Sequence, residues 1–369
     1  RNTLLSNTTG MDNTAMGSYS LASNTTGINS AFGYYSLYSN TTGSNNAAFG
    51  FGSLRTNTTG TSNCAFGEGT LYNNTNGYAN TASGYSALYT NTTGYENTAS
   101  GSNALGANTT GFLNVAVGAN ALSINLPVST TTGNKNTAIG YAALNWNATG
   151  TTNTALGYNS GFWFNGGTNN TFLGALTSMS NGNNNSTAIG NGASANASNK
   201  IRLGDVNVTV IEGQVAYTYP SDARFKYNVK NNIPGLDFIM QLKPVTYNFD
   251  TRKFEEHLIQ DMPDSSREER MKGRDFTASS DIIHSGFLAQ DIEKACKQLN
   301  YNFDGLHIPD GNNKTDNYSV AYSQFIMPLV KGMQEQQTTI TQQNEKINQQ
   351  EKIICNLVSR IEKLESSNK

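Results

Sequence analysis

Charge is scarce in the first half of the sequence. The 369-residue chain has 24 Lys and Arg and 26 Asp and Glu residues, for a net charge of −2. Only seven of these precede residue 201, namely Arg1, Asp12, Arg55, Glu68, Glu96, Lys135 and Lys200. So little charge gives no electrostatic support for binding nucleic acid or a membrane surface. The asymmetry indicates two different architectures in one chain, the first kept soluble by Asn, Thr and Ser.

Cysteine and long apolar runs are lacking too. Cys64, Cys296 and Cys355 have no spacing typical of a metal site or a disulfide framework. We therefore expect neither a metal nor a cofactor. No run of eighteen apolar residues occurs, so the sequence predicts no membrane span. The chain begins at Arg1, already inside a repeat, and we expect a natural segment before it.

The repeat reads N-T-A-x-G-x-x-A-L-x-x-N-T-T-G and runs from residue 1 to about 204. Its glycines recur every 16 or 17 residues, with one interval of 22: Gly17, Gly33, Gly50, Gly67, Gly84, Gly101, Gly118, Gly140, Gly157, Gly174 and Gly190. The long interval contains Ile124-Asn125-Leu126-Pro127, which predicts an inserted loop. Ala lies two residues before ten of these glycines, with Phe172 the exception, and Leu lies four residues after the first eight.

This spacing predicts a β-solenoid stalk over residues 1–204. Seventeen residues cannot hold two packed helices, and Gly, Asn and Thr disfavour helix. Thr-Ala-x-Gly alternates as a short strand does, and Asn-Thr-Thr-Gly supplies turns. We expect two short strands and two turns per coil, with Ala and Leu stacked inward from copy to copy.

The motif N-T-A-x-G-x-x-A-L resembles the head repeats of trimeric autotransporter adhesins. Those repeats form left-handed β-rolls that pack three chains around one axis, and they are shorter, so the likeness is one of style rather than register. A single-chain β-helix is the alternative. The N-T-T triplets also match N-glycosylation acceptors, but a turn role explains their recurrence better.

One segment, Gly161-Phe162-Trp163-Phe164-Asn165-Gly166-Gly167, interrupts the repeat. Its aromatic residues suggest either a platform for a sugar or a plug in the core. We favour the core plug.

Residues 205–220 follow the repeat and are predicted to form connecting strands. Val206 to Val210 and Val215 to Tyr219 are rich in β-branched and aromatic residues and alternate in polarity. They lead to Pro220 and to Ser221-Asp222-Ala223-Arg224-Phe225-Lys226. A Lys amine can act as general base for a Ser nucleophile if its pKa is lowered. Ser221 can then attack the carbonyl of Pro220, which predicts a cut between Pro220 and Ser221.

Four ordered blocks resemble the peptidase S74 family, the intramolecular chaperone domains of phage tail spikes and fibres. The blocks are Ser221 to Val229, Gly235 to Asn248, Gly286 to Ile292 and Tyr322 to Ile326. The resemblance implies that residues 221–335 help three chains trimerise and then cut themselves off. It makes Ser221 the nucleophile and Lys226 the general base.

Other residues are candidates for support. Arg224 can lower the pKa of Lys226 or pair with Asp222, and His284 and His257 are possible helpers. Alternatively, Ser221 and Asp222 only cap a helix. The segment 251–281 is charged and loop-like. We expect helices at Gly235 to Leu242 and Gln290 to Leu299, and strands at Val245 to Phe249 and Ile282 to Leu288.

The end of the chain, residues 336–369, is predicted to be a coiled coil. Apolar residues recur every seven positions at Met333, Ile340, Ile347, Ile354 and Ile361. Three residues later come Gln336, Gln343, Gln350, Leu357 and Leu364, and the glutamines weaken the seam. A single helix packed on its own domain is the alternative.

Together these features predict a homotrimeric tail-fibre-like or surface attachment protein with a self-cleaving chaperone. Its expected location is a virion or a cell surface, and its possible partner a host-surface receptor or glycan. A structural adhesin that never cuts is one alternative. A glycan hydrolase is disfavoured because the repeat has only Asp12, Glu68 and Glu96 as acids, with no paired carboxylates.

Overall fold

A computed structural model describes residues 2–124 and 132–367 of the chain. Two compact units are present. The first comprises residues 1–211 together with 250–280, and the second residues 212–249 together with 281–369. The units thus divide the chain differently from the boundaries expected at residues 204, 220 and 335, which stay predictions.

The first unit is built on a β-solenoid, as the sequence predicts. Its strands are β1 (Thr14–Met16), β2 (Asn29–Phe32), β3 (Asn46–Phe49), β4 (Cys64–Phe66), β5 (Thr81–Ser83), β6 (Thr98–Ser100), β7 (Val115–Val117), β8 (Thr137–Ile139), β9 (Thr154–Leu156), β10 (Thr171–Leu173), β11 (Ser178–Met179), β12 (Thr187–Ile189), β13 (Ser194–Ala195) and β14 (Ile201–Leu203). Twelve of them form one parallel sheet, while β11 and β13 pair separately. Each coil adds one strand to that sheet.

The repeated Ala and Leu form the core, as expected. Ala48 lies opposite Ala65 in the ladder, and both side chains are fully buried. Leu54 and Leu71 are equally buried and belong to the same core cluster. Their backbones take φ of 50° and 49°, in the left-handed region. The expectation of two strands per coil is therefore wrong for most of the stalk, because this conformation makes the Leu segment a turn.

Buried asparagine side chains form hydrogen-bonded ladders between successive coils. In most N-T-T triplets the first Asn donates to the equivalent Asn one coil away, as Asn57 Nδ2 does to Asn40 Oδ1 at 2.7 Å. The Asn that precedes each strand forms a second ladder, as between Asn80 Nδ2 and Asn63 Oδ1 at 3.0 Å. These four side chains are almost completely buried. Their amides are committed to the ladders, which supports the turn role of the triplets over glycan attachment.

The repeated glycine is required by close approach. Gly50 takes φ of 139°, and a Cβ added there would lie 2.4 Å from the carbonyl oxygen of Gly67. No other residue fits between coils stacked so closely.

The aromatic interruption is partly a core plug. Gly161 stands where earlier coils have Leu, and Phe172 stands where they have Ala. A Cβ at Gly161 would lie 3.3 Å from the ring of Phe172. In this coil the large side chain therefore occupies the usual Ala position, and the Leu position is left without a side chain. Phe164 is also buried, with its ring centroid 5.0 Å from that of Phe172. The predicted inserted loop falls on residues 125–131, outside the described part of the chain.

Residues 250–280 belong to this unit and are helical rather than loop-like. They form α2 (Thr251–Leu258), α3 (Asp264–Met271) and α4 (Thr277–Ser280). Leu258, Ile259 and Phe276 cluster with Val206, which follows the last solenoid strand. We call residues 250–280 the cap.

The second unit contains a 3₁₀ turn at Ala223–Phe225, α1 (Leu236–Ile239), β15 (Val245–Asn248), β16 (Ile283–Gly286), α5 (Ala289–Leu299), β17 (Leu306–His307), β18 (Ser319–Val320), a second 3₁₀ turn at Tyr322–Phe325 and α6 (Ile326–Ser367). The helices and strands expected near 235–249 and 282–299 are confirmed. Phe238, Ile292 and Phe325 are central to its core. The strands expected over 205–220 are not formed in this chain, since these residues have no paired neighbour.

Helix α6 carries the heptad residues along 42 residues. Met333, Ile340, Ile347, Ile354 and Ile361 are 40–70% exposed in the single chain. The alternative of a helix that packs this seam on its own domain is therefore not what the structure shows. No helix in residues 2–124 and 132–367 is long and apolar enough to cross a membrane.

Candidate active site

The site stretch lies in a segment without internal packing. Every residue from 208 to 233 is exposed in the single chain. Its one element is the 3₁₀ turn at Ala223–Phe225, which Asp222 begins by accepting the backbone N–H of Arg224 at 2.9 Å. The cap role considered for Asp222 is therefore present.

Ser221 and Lys226 meet across this turn. The turn brings the two side chains to the same side, and Lys226 Nζ lies 2.8 Å from Ser221 Oγ as its hydrogen-bond donor. A base within about 2.6–3.2 Å of a hydroxyl is close enough to take its proton. The pair thus has the distance that nucleophile and base need, in a setting open to water.

Arg224 is directed at Asp222 rather than at Lys226. Its Nε donates to Asp222 Oδ2 at 2.9 Å and its Nη2 donates to the same oxygen at 2.5 Å. This side-chain contact, with the backbone bond from Arg224, holds the pKa of Asp222 below its usual value. Of the two roles considered for Arg224, the structure shows the ion pair.

The histidines lie elsewhere. His284 is on β16 opposite Tyr247 of β15, with ring centroids 5.6 Å apart. Within the described residues it forms no hydrogen bond with Ser221 or Lys226. His257 lies on α2, in the cap.

Large apolar side chains surround the pair without covering it. Val215, Tyr217 and Tyr219 precede the turn, and each is at least 72% exposed. Phe225, Tyr227 and Val229 continue the alternation and are as exposed. The first three were predicted to form a strand, but no sequence pattern indicates that six such residues are exposed. Monomeric proteins rarely expose so much contiguous apolar surface.

A separate cavity of about 380 Å³ lies within the first unit, between the solenoid and the cap. Phe162 and Trp163 line it, so this part of the aromatic interruption faces open space rather than the core. Asn159 also lines it, and its Oδ1 is buried without a hydrogen-bond partner. Met262 and Ser266 contribute from the cap.

Residues 221–301 match the family Peptidase_S74, described as the chaperone of endosialidase. The match covers the first three of the four sequence blocks and ends before Tyr322, and it confirms the family resemblance over these residues. No curated protein matches the chain. The chain therefore has a segment similar to this family, C-terminal to a β-solenoid.

Proposed function

We propose that this chain is a homotrimeric, fibre-like attachment protein whose C-terminal part assembles the trimer and then cuts the chain between Pro220 and Ser221. The observation that carries the cleavage is the 2.8 Å contact between Lys226 Nζ and Ser221 Oγ within the segment that matches the family. A virion or cell surface is the expected location.

The chemistry proceeds in two steps. Lys226, once deprotonated, takes the hydroxyl proton of Ser221 while Oγ attacks the carbonyl carbon of Pro220. The peptide C–N bond breaks as the proton passes to the Ser221 nitrogen, which leaves an ester between Pro220 and Oγ. Water then hydrolyses the ester, giving a Pro220 carboxylate and a Ser221 with free amine and hydroxyl.

The exposure of the pair supports an order of events in which assembly precedes the cut. A lysine amine in water is protonated at neutral pH and cannot act as a base. Burial against another chain disfavours the charged form and lowers the pKa. The alternating apolar residues around the turn provide the surface that a neighbouring chain would cover.

Two further surfaces support trimerisation. One is the seam of α6. The other runs along the outer face of the twelve-stranded sheet, where the last residue of each later strand is apolar and 37–45% exposed: Val117, Ile139, Leu156, Leu173, Ile189 and Leu203. We call this line the sheet stripe. A continuous apolar stripe along the later coils is suited to contact with identical copies.

Mass analysis of purified protein under denaturing conditions tests the cleavage. The wild-type chain is expected to yield a fragment of residues 221–369, and Ser221→Ala to remain intact. Thr218→Ala, which removes another exposed hydroxyl of the same segment, should cut normally. If wild type and Ser221→Ala are both intact after native folding, the chain is the non-cleaving adhesin instead.

The cavity in the first unit favours a neutral sugar of a host glycan as the attached ligand. Trp163 offers an aromatic face, Asn159 Oδ1 lacks a donor, and a volume of about 380 Å³ is within the range of small-molecule sites. Trp146 and Trp163, with centroids 4.7 Å apart, are the two tryptophans of the chain and report on binding.

Fluorescence titration of Ser221→Ala protein with methyl glycosides of glucose, galactose and N-acetylglucosamine tests this role. Binding should be lost in Asn159→Gly, which keeps a residue suited to φ of 50°. The control is Asn103→Gly, at the same position of an earlier coil, with φ of 55°. No response to any of the three sugars would remove the glycan from the proposal.

A further inference from the structure

The cap and the stalk lie on opposite sides of the proposed cut, yet they form one compact unit. A cut at Pro220–Ser221 leaves residues 250–280 on the released fragment. Covalent separation therefore does not by itself remove the cap from the stalk.

The contacts between them are extensive and buried. Arg270 donates to the backbone oxygens of Leu176 at 2.8 Å and Gly192 at 2.5 Å, and to Ser178 Oγ at 3.1 Å. Its Nε donates to Glu255 Oε1 within the cap at 2.8 Å, and both side chains are nearly inaccessible to water. Charge-assisted hydrogen bonds shielded from water in this way are among the stronger polar contacts in proteins.

Two more contacts join the cap to the end of the stalk. Arg274 pairs with Asp205, and Ser279 Oγ donates to Asn207 Oδ1 at 3.1 Å. Between these residues Val206 is buried against Leu258, Ile259 and Phe276. Charged, polar and apolar contacts thus converge on residues 205–207, directly after the last solenoid strand.

The cap is an insertion between strands β15 and β16 that can be removed without altering the pairing of these strands. It leaves after β15 and returns before β16, and these strands pair with Asn248 opposite Ile283. Thr251 Oγ1 and Ser280 Oγ, at its two ends, lie 2.9 Å apart. A short loop can replace the helices without stretching the strands.

We infer that the cut does not release the C-terminal fragment: the cap keeps it bound to the stalk and covers the stalk's last coils. The partner of this stalk surface is the chain's own cleaved fragment. The inference rests on the proposed function for the origin of the cut.

The experiment makes the cut independently of self-cleavage. A site-specific protease sequence is inserted between Gly213 and Gln214, in the exposed segment, of a Ser221→Ala chain. After digestion, denaturing mass analysis verifies the cut, and native size exclusion shows whether the two pieces travel together. We expect co-elution at the size of the uncut protein. Separation of the pieces would overturn the inference, whatever the wild-type chain does at Ser221.

Two variants of this cut protein identify what holds the pieces. Replacement of residues 251–279 by a short Gly-Ser loop should let them separate. Asp205→Asn, on the stalk side, should raise the dissociation constant roughly tenfold, the effect of losing one charge-assisted contact. Glu268→Gln, at an exposed carboxylate of the cap, is the control and should change nothing. Continued co-elution of the loop-replaced chain would also overturn the inference.

Discussion

Lys226 Nζ donates a 2.8 Å hydrogen bond to Ser221 Oγ from the far side of a single 3₁₀ turn. In this contact the amine is the hydrogen-bond donor and the hydroxyl oxygen the acceptor. The proposed base role requires the reverse direction, with the amine as acceptor. Under the proposed function, burial of the pair on assembly would supply this change in environment.

Replacement of Lys226 by Arg tests the base role. Arginine keeps the charge but does not lose its proton in proteins, so self-cleavage should stop while trimers still form. Lys230→Arg, at another exposed lysine four residues on, should cut at the wild-type rate. Denaturing mass analysis and native sizing of the same samples give both readouts. Normal cleavage by Lys226→Arg would move the base role to another group, with His284 the next candidate.

Asp substitutions at Ile347 and Ile354 test the helical seam. Both side chains are exposed in the single chain and would be buried between helices in a trimer. Two carboxylates in that seam should separate the helices, and uncut monomer should result. The double change Asn348→Asp and Lys352→Asp, outside the a and d positions, should leave trimers intact. Analytical ultracentrifugation distinguishes monomers from trimers. Trimers in the Ile347→Asp/Ile354→Asp variant would show that the seam is not required for trimerisation.

The sheet stripe has its own test. Ile139→Asp with Leu156→Asp places charge on two neighbouring coils without touching the inward Ala residues. We expect each coil to keep its fold, with unchanged circular dichroism, but the stalks to lose contact with one another. Thr93→Asp, in an exposed turn, is the control. If cross-linking shows a fully trimeric stalk in the stripe variant, the stalks contact one another through a face other than the sheet stripe.

Loss of Arg270 should destabilise the end of the stalk. Arg270→Met leaves Glu255 buried with one of its two cationic partners gone, and removing one member of a buried pair lowers the free energy of unfolding by about 3–5 kcal/mol. Arg267→Met removes an exposed ion pair with Asp264 on the same helix. This variant should change the free energy of unfolding by only about 0–1 kcal/mol. Thermal unfolding of Ser221→Ala protein compares them. Equal unfolding midpoints for the two variants would contradict the predicted contribution of the buried Arg270–Glu255 pair to stability.

The sequence by itself determined the solenoid, because each coil repeats the same local solution. Ala at the strand centre, Leu in the turn and Gly at the close approach recur at one spacing, and stacking needs only that spacing to be kept. The elements around α1, β15, β16 and α5 were predictable for a similar reason, since their apolar periods and their Gly and Pro limits are local. Ser221 and Lys226 were identified as a pair from their place in a family-like block.

The tertiary structure alone decided how distant segments meet. A charged stretch such as 251–281 gives no local sign of its partner, and only the fold shows Arg270 reaching Leu176 and Gly192. The pairing of a small residue at Gly161 with a large one at Phe172 is likewise visible only in the fold, where these two positions lie side by side. The strands expected over 205–220 did not form because a strand requires a neighbour to pair with, and a single chain supplies none there. Local sequence sets what a segment can do, whereas the contacts that select among those options come from residues far away in the chain.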